Sequence, residues 1–104
     1  MLHHISQADK SASLAIGIFD PALYSRGIGT QTIMLMLKYG FEELTLHRIE
    51  LKVLEYNKRA IRCYEKCGFK ADGVLRESAF IDGCYHSDII MSILEDEYRQ
   101  QHTT

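Results

Sequence analysis

Proline occurs once, at Pro21, and tryptophan not at all. With one proline, no serine- or glycine-rich tract, no internal repeat and no block of like charge, the chain offers no linker on which a second domain could hang. At 104 residues it reads as a single domain, 1–104, with a modest core that buries about 60–70% of the surface its unfolded form exposes. Only 99–104, RQQHTT, reads as a frayed tail. Cysteine is scarce and odd in number: Cys63, Cys67 and Cys84, with no secretory-type start before them, argue for reduced thiols in a cytosolic chain and against a disulfide framework. A large charge of either sign is also missing. The formal net charge is -2 with 25% charged residues, so no general polyanion-binding surface is implied and nucleic acid is not the expected partner. The most apolar run, IMLMLKYGF, is far shorter than the roughly 20 residues that cross a bilayer, so a soluble protein with no membrane partner is expected.

What is present is an alternation of strand and helix patterns. SASLAIGIF, Ser11 to Phe19, is a short, partly β-branched apolar run stopped by Asp20-Pro21, which favours a buried strand. From Gly29 the spacing changes: Thr30, Ile33, Met34, Leu37, Phe41 and Leu44 recur at helical intervals, and Leu35 and Met36 add apolar groups elsewhere on the helix, predicting cover on more than one side. RIELKVLE sets Ile49, Leu51 and Val53 against Glu50 and Lys52, the two-residue period of a second strand. In NKRAIRCYEKCGF, Asn57 suits an N-cap, Ala60, Ile61 and Tyr64 share a helical face, and Gly68 suits the left-handed position past the helix end. Asp82-Gly83 between two β-rich runs predicts a two-residue type I′ hairpin. That register would put Glu77 opposite Asp88, a like-charge pair, so a bulge or register shift is expected there. The order strand, helix, strand, helix, strand, strand predicts an α/β layer in which a parallel pair is closed by an antiparallel hairpin.

The stretch SRGIGT, Ser25 to Thr30, places two glycines at the mouth of the first helix. A strand that feeds a helix through such a turn leaves backbone N–H groups without intrahelical partners, and with the helix dipole these form an anion site. Glycine lets a phosphate approach the backbone, and the Arg26 guanidinium can fork onto its oxygens. Alone the stretch equally suits a tight turn with a solvated arginine. It lacks the third glycine of a dinucleotide fingerprint and the Gly-Lys-Ser/Thr ending of a P-loop.

Read together, DPALYSRGIGT, HRIELKVLEYNKRAIRCYEKCGFKADG and FIDGCYHSDIIMSILEDEY resemble the GNAT superfamily of acyl-CoA N-acyltransferases, in particular its RimJ/RimL-type branch, over nearly the whole chain. The resemblance implies a truncated GNAT fold: a mixed sheet with a splayed parallel pair, two helices and a C-terminal antiparallel hairpin. It implies that backbone amides from Tyr24 through Ser25, Arg26, Gly27, Ile28 and Gly29 to Thr30 hold the coenzyme A diphosphate, with Tyr24 at the position where the family carries Gln or Arg. The backbone at Gly17, Ile18 and Phe19 is assigned to the pantetheine arm, Asn57 to a hydrogen bond with that arm, and Tyr64 to protonation of the departing thiolate. The implied reaction is acetyl transfer from acetyl-CoA to a primary amine, whether a protein N-terminus, a polyamine or another small amine, by direct attack in a ternary complex. A tyrosine, with a reference pKa of about 10, carries its proton at pH 7 and suits the acid role. The family's base position holds Lys52, leaving Glu50 and Glu55 as nearby carboxylates that also suit solvated strand edges. Beside the family the chain starts around the third strand, without the arm that walls the acceptor site, so a homodimer or a complementing chain is expected.

Two other readings compete. One is a CoA-binding fragment without catalysis. The other is a metal or redox protein using Cys63 and Cys67, spaced i, i+4 on one helix; no second Cys/His pair at zinc spacing accompanies them, so no metal is expected.

Overall fold

The computed structural model describes residues 2–14 and 28–101. Within them the chain forms strand β1 (Leu2–Ser6), strand β2 (Ser11–Leu14), helix α1 (Ile28–Lys38) continued by one π-helical turn (Tyr39–Glu43), strand β3 (Arg48–Leu54), helix α2 (Lys58–Lys66), strands β4 (Lys70–Ile81) and β5 (Cys84–Leu94), and helix α3 (Glu95–Gln101). The five strands make one mixed sheet in the order β1-β2-β3-β5-β4. Strand β2 runs parallel to β3, and the other neighbours are antiparallel.

The alternation in β3 decides which side of the sheet carries the core. Ile49, Leu51 and Val53 are buried and pair with Ile93, Met91 and Ile89 of β5, while Glu50 and Lys52 point to the other face. Ile33, Leu37 and Phe41 from α1 and its continuation cover the apolar face, with Ala60, Cys63 and Tyr64 of α2 beside them. Cover on a second side of α1 holds for Met36, which packs against the core, but Leu35 is 68% exposed.

The helix changes pitch where the chain must pass close to the sheet. Leu44 N–H donates to the Tyr39 carbonyl at 3.0 Å, the i→i+5 bond of a π turn, and Gly40 inside this turn lies buried against Ile49, Leu2 and Leu46. A β-carbon at residue 40 would stand 2.6 Å from Ile49 Cδ1.

The hairpin turns as its sequence predicts, with positive φ at both Asp82 (50°) and Gly83 (80°). The like-charge clash is avoided by a bulge. Ala79 pairs with His86 and Leu75 with Asp88, so Arg76, Glu77 and Ser78 together oppose the single residue Ser87. Ser78 Oγ donates to Asp88 at 2.7 Å, and Glu77 N–H donates to Ser87 Oγ at 3.0 Å, which fills the gap left in the ladder.

Three features depart from the sequence expectation. Strand β1, a short segment with two histidines and no alternation, was not in the predicted element order, nor was α3. Helix α3 takes in Arg99–Gln101, which the reading assigned to the tail, because Tyr98 anchors it: the ring packs on Phe41 at 5.0 Å and its hydroxyl donates to Glu42 at 2.7 Å. Among the described residues there are therefore three α-helices, where the sequence predicts two. The strand expected over Ser11–Phe19 is described as far as Leu14, and the rest of that expectation lies outside the described residues.

Candidate functional site

The site is built where β3 ends and α2 begins. Three residues past the end of β3, Asn57 (φ -84°, ψ 70°) caps the helix: its Oδ1 accepts from Ala60 N–H at 3.2 Å, an N-cap bond that leaves its Nδ2 hydrogens for another acceptor. Six to seven residues on, α2 presents Cys63 and Tyr64 inward, both buried.

Tyr64 is held by the way α2 stops. Gly68 N–H donates to Glu65 O and Phe69 N–H to Tyr64 O, both at 3.0 Å, with Gly68 at φ +103°. These are the two bonds of a Schellman ending, and the apolar contact that accompanies such an ending is the edge-to-face pair of Tyr64 and Phe69, with ring centroids 6.0 Å apart. The helix terminus thereby fixes the ring named as the acid.

Beside it, the first turn of α1 meets α2. Thr30 Oγ1 and Cys63 Sγ lie 3.4 Å apart, and Thr30, Cys63, Arg59, Arg62 and Lys66 line a cleft of about 240 Å³. Neither helix has an acidic residue in its first turn. The two ends that carry partial positive charge are therefore left without carboxylates, and three further cations face the cleft. Although the formal net charge of the chain is -2, this cleft gathers three cations.

The described residues include Ile28 and Gly29, which open α1, together with Thr30, Asn57 and Tyr64. Gly17, Ile18, Phe19, Tyr24, Ser25, Arg26 and Gly27 lie outside them. Among the described residues, strand β2 pairs in parallel with β3 from Ser11↔Arg48 to Ser13↔Glu50. The carboxylates considered as bases sit on the other side of the sheet or in solvent: Glu50 faces Arg48 at 3.5 Å, and Glu55 is exposed. The residues that sequence reasoning missed are Arg59, Arg62 and Lys66. Their signal was present as cations at i, i+3 and i+7 on one helix.

The cysteine pair is built as core. Burial, followed by the neighbouring Cys63, pushes the Cys67 thiol up to about 12, which keeps it protonated and a poor metal ligand. No group of three potential metal-ligating side chains converges among the described residues. No helix among them is long and apolar enough to cross a membrane.

Comparison with known proteins bears on this arrangement. Residues 1–70 match the family model described as the acetyltransferase (GNAT) domain. The spermidine N(1)-acetyltransferase of Escherichia coli K12 is 34% identical over 103 residues, which span 99% of this chain and 55% of that protein. The spermidine N(1)-acetyltransferase of Vibrio cholerae is 37% identical over 97 residues, 93% of this chain and 56% of that protein. A solved variant of the spermidine N-acetyltransferase from Vibrio cholerae superposes with a TM-score of 0.89 at 36% identity, covering 98% of this chain and 60% of the other. The chain thus spans a little over half the length of these relatives.

Proposed function

From the premise that the chain belongs to the acetyltransferase (GNAT) family, we propose that it moves an acetyl group from acetyl-CoA onto a primary amine of a polyamine, by direct attack in a ternary complex. The observation that carries this reading is the convergence of an acid-free helix start at Thr30, the cationic cleft, and a buried tyrosine on the adjoining helix. The donor set fits the group: backbone amides and cations for a polyanion, an amide for its arm, and a phenol for its sulfur. Acetyl-CoA supplies the activated acetyl as a thioester.

In this reading the backbone of Tyr24–Thr30 and the Arg26 guanidinium hold the diphosphate, and the backbone of Gly17, Ile18 and Phe19 aligns the pantetheine arm. Asn57 donates to that arm from Nδ2 while its Oδ1 stays in the helix cap. Tyr64 gives its hydroxyl proton to the leaving sulfur. The polyamine assignment is supported by the spermidine N-acetyltransferases among the relatives, and by Glu77, Asp82 and Asp88 on the hairpin, which offer carboxylates to a cationic acceptor. Assignment to the RimJ/RimL-type branch, a cytoplasmic location and a homodimer complete the proposal. The dimer is supported by the outer strand β4 and by Val74, Phe80 and Tyr85, which are between 56% and 64% exposed.

The test is thiol release from acetyl-CoA across a panel of spermidine, spermine, small amines and an N-terminal peptide. Turnover is expected with the polyamines. A second reading, a CoA-binding chain without catalysis, draws on the fact that the chain spans only 55–60% of its relatives. It would be upheld by calorimetric binding of coenzyme A with no turnover on any amine.

A further inference from the structure

The turn that leads into α2 is tied to a strand on which it does not lie. The ladder between β3 and β5 ends at Leu54↔Asp88, but the antiparallel line continues for two more residues. Glu55 N–H donates to Ser87 O at 3.0 Å, and the Tyr56 ring stands edge-to-face against the His86 ring, with centroids 4.9 Å apart and planes at 73°. Within the turn, Asn57 N–H donates to Leu54 O and Lys58 N–H to Tyr56 O, both at 2.9 Å, so Tyr56 is its corner residue. His86 is carried by an inner strand: β5 lies between β3 and β4, and His86 pairs there with Ala79. By the alternation along β5, His86 shares a face with Asp88 and Ile90, away from the side on which Met91 and Ile93 join the core. Helix α2 is therefore held by Ala60, Cys63 and Tyr64 in the core and, at its start, by a ring pair on the far face of the sheet.

Stability alone is a poor reason for this pair. Tyr56 is 52% exposed, turn corners suit glycine and small polar residues, and a solvent-facing cross-strand pair contributes little to folding. The neighbouring residue has a stricter need. Asn57 Oδ1 is committed to Ala60 N–H at 3.2 Å, so the plane of the amide is fixed and the direction of its Nδ2 hydrogens follows from the backbone at Tyr56-Asn57. We propose that Tyr56 and His86 are positioning residues: the ring pair clamps the start of α2 to β5 and thereby aims Asn57 Nδ2 at the pantetheine arm of the coenzyme. This rests on the reading of the preceding subsection that Asn57 donates to that arm. Both rings act through Asn57 and need no contact with the coenzyme themselves. A donor placed on a turn requires such a brace, because a displacement of about 0.5 Å decides whether its bond forms. The consequence is that affinity for the coenzyme depends on two aromatic rings on the face of the sheet opposite the helices.

The experiment is calorimetric titration of the 104-residue chain with coenzyme A for the wild type, Tyr56→Ala, Tyr56→Phe, His86→Ala, Asn57→Asp and the double variant Tyr56→Ala/Asn57→Asp. The Asn57→Asp substitution keeps the helix cap and removes the Nδ2 donor. Tyr56→Ala and His86→Ala are each expected to weaken binding about tenfold, the size of one hydrogen bond, whereas Tyr56→Phe keeps the ring and should bind as the wild type does. Thermal midpoints close to that of the wild type should accompany both losses. Asn57→Asp should weaken binding by a similar factor, and adding Tyr56→Ala to it should cost nothing further, because the two substitutions remove one and the same contact. Wild-type affinity in both alanine variants, or an equal loss from Tyr56→Ala whether residue 57 is Asn or Asp, would overturn this inference while leaving acetyl-CoA binding intact. Wild-type affinity in Asn57→Asp would overturn the role of Asn57 and this inference with it. Failure of the wild type to bind coenzyme A would overturn the reading of the preceding subsection as well.

Discussion

Tyr98 shows how one side chain can close a small core. Its ring is 4% exposed and lies on Phe41, and its hydroxyl reaches Glu42 at the protein surface. Burial, then the hydrogen bond and charge of Glu42, push its phenol up to about 12 from a reference of 10.0. A raised pKa means that the folded state holds the proton more tightly than the unfolded state, so this contribution is complete below pH 10 and disappears as pH rises towards 12. Cys67, raised from 9.0 to about 12, acts in the same direction from pH 9 upwards. Urea unfolding at pH 8 and at pH 10.5 should therefore show lower stability at the higher pH, and Tyr98→Phe should remove part of that difference. At pH 8 the same substitution should cost about 1 kcal/mol, the net value of one hydrogen bond. At this scale the sequence was legible where a residue has a local job. Asn57 reads as a cap from its neighbours alone. The partnership of Tyr98 with Glu42 joins residues 56 positions apart, and no local pattern announces it.

Two glycines decide how the helices meet the sheet. Gly40→Ala would place a methyl group 2.6 Å from the tip of a fully buried Ile49, so the π turn must move away from β3. Overpacking of this kind costs roughly 1–3 kcal/mol, readable as a lower urea midpoint with an unchanged slope. Gly68→Ala strains the left-handed residue after α2 by about 1 kcal/mol and displaces Phe69, the ring against which Tyr64 is set. It is expected to lower kcat more than stability alone would explain, whereas Gly40→Ala should leave kcat of the folded fraction unchanged. Gly68 was visible beforehand because a helix ending in Gly-Phe after an apolar stripe has one common geometry. Gly40 was not, because the need for a bare α-carbon there comes from β3 and β1, which are remote in the chain. The bulge at Arg76–Ser78 was foreseeable from charge alone: a straight register pairs Glu77 with Asp88.

For the molecule as a whole, the parallel β2–β3 pair and the β4–β5 hairpin were legible in the sequence, whereas the place of β5 between β3 and β4 was not. The two ends of the chain were harder, since β1 and α3 owe their form to partners across the sheet. Helix α3 is held to β4 by Lys70 with Glu97, and Arg48 of β3 reaches Asp72 of β4 at 2.8 Å. The Glu97 carboxyl is lowered first by its bond to Lys70 and then by Leu94 N–H; Asp72 is lowered first by the Ser92 hydroxyl and also by Arg48. Depressed carboxyl pKa values stabilise the fold above the unfolded values of 4.5 and 3.8 and are lost as pH falls below them. Acid unfolding should therefore begin below pH 4.5, and Glu97→Gln should make its onset less steep. Light scattering at micromolar concentration checks the proposed dimer: a mass near twice 12.0 kDa is expected, and a monomer contradicts it.

The central claim is that α2 delivers a proton donor to a thioester held across the start of α1. Its most direct test is the steady-state rate of thiol release from acetyl-CoA with spermidine for the wild type and Tyr64→Phe, alongside coenzyme A affinity for both. The account predicts turnover by the wild type and a loss of kcat of about a hundredfold or more in the variant, the contribution of a positioned acid, with affinity nearly unchanged. A variant that turns over as fast as the wild type would contradict it.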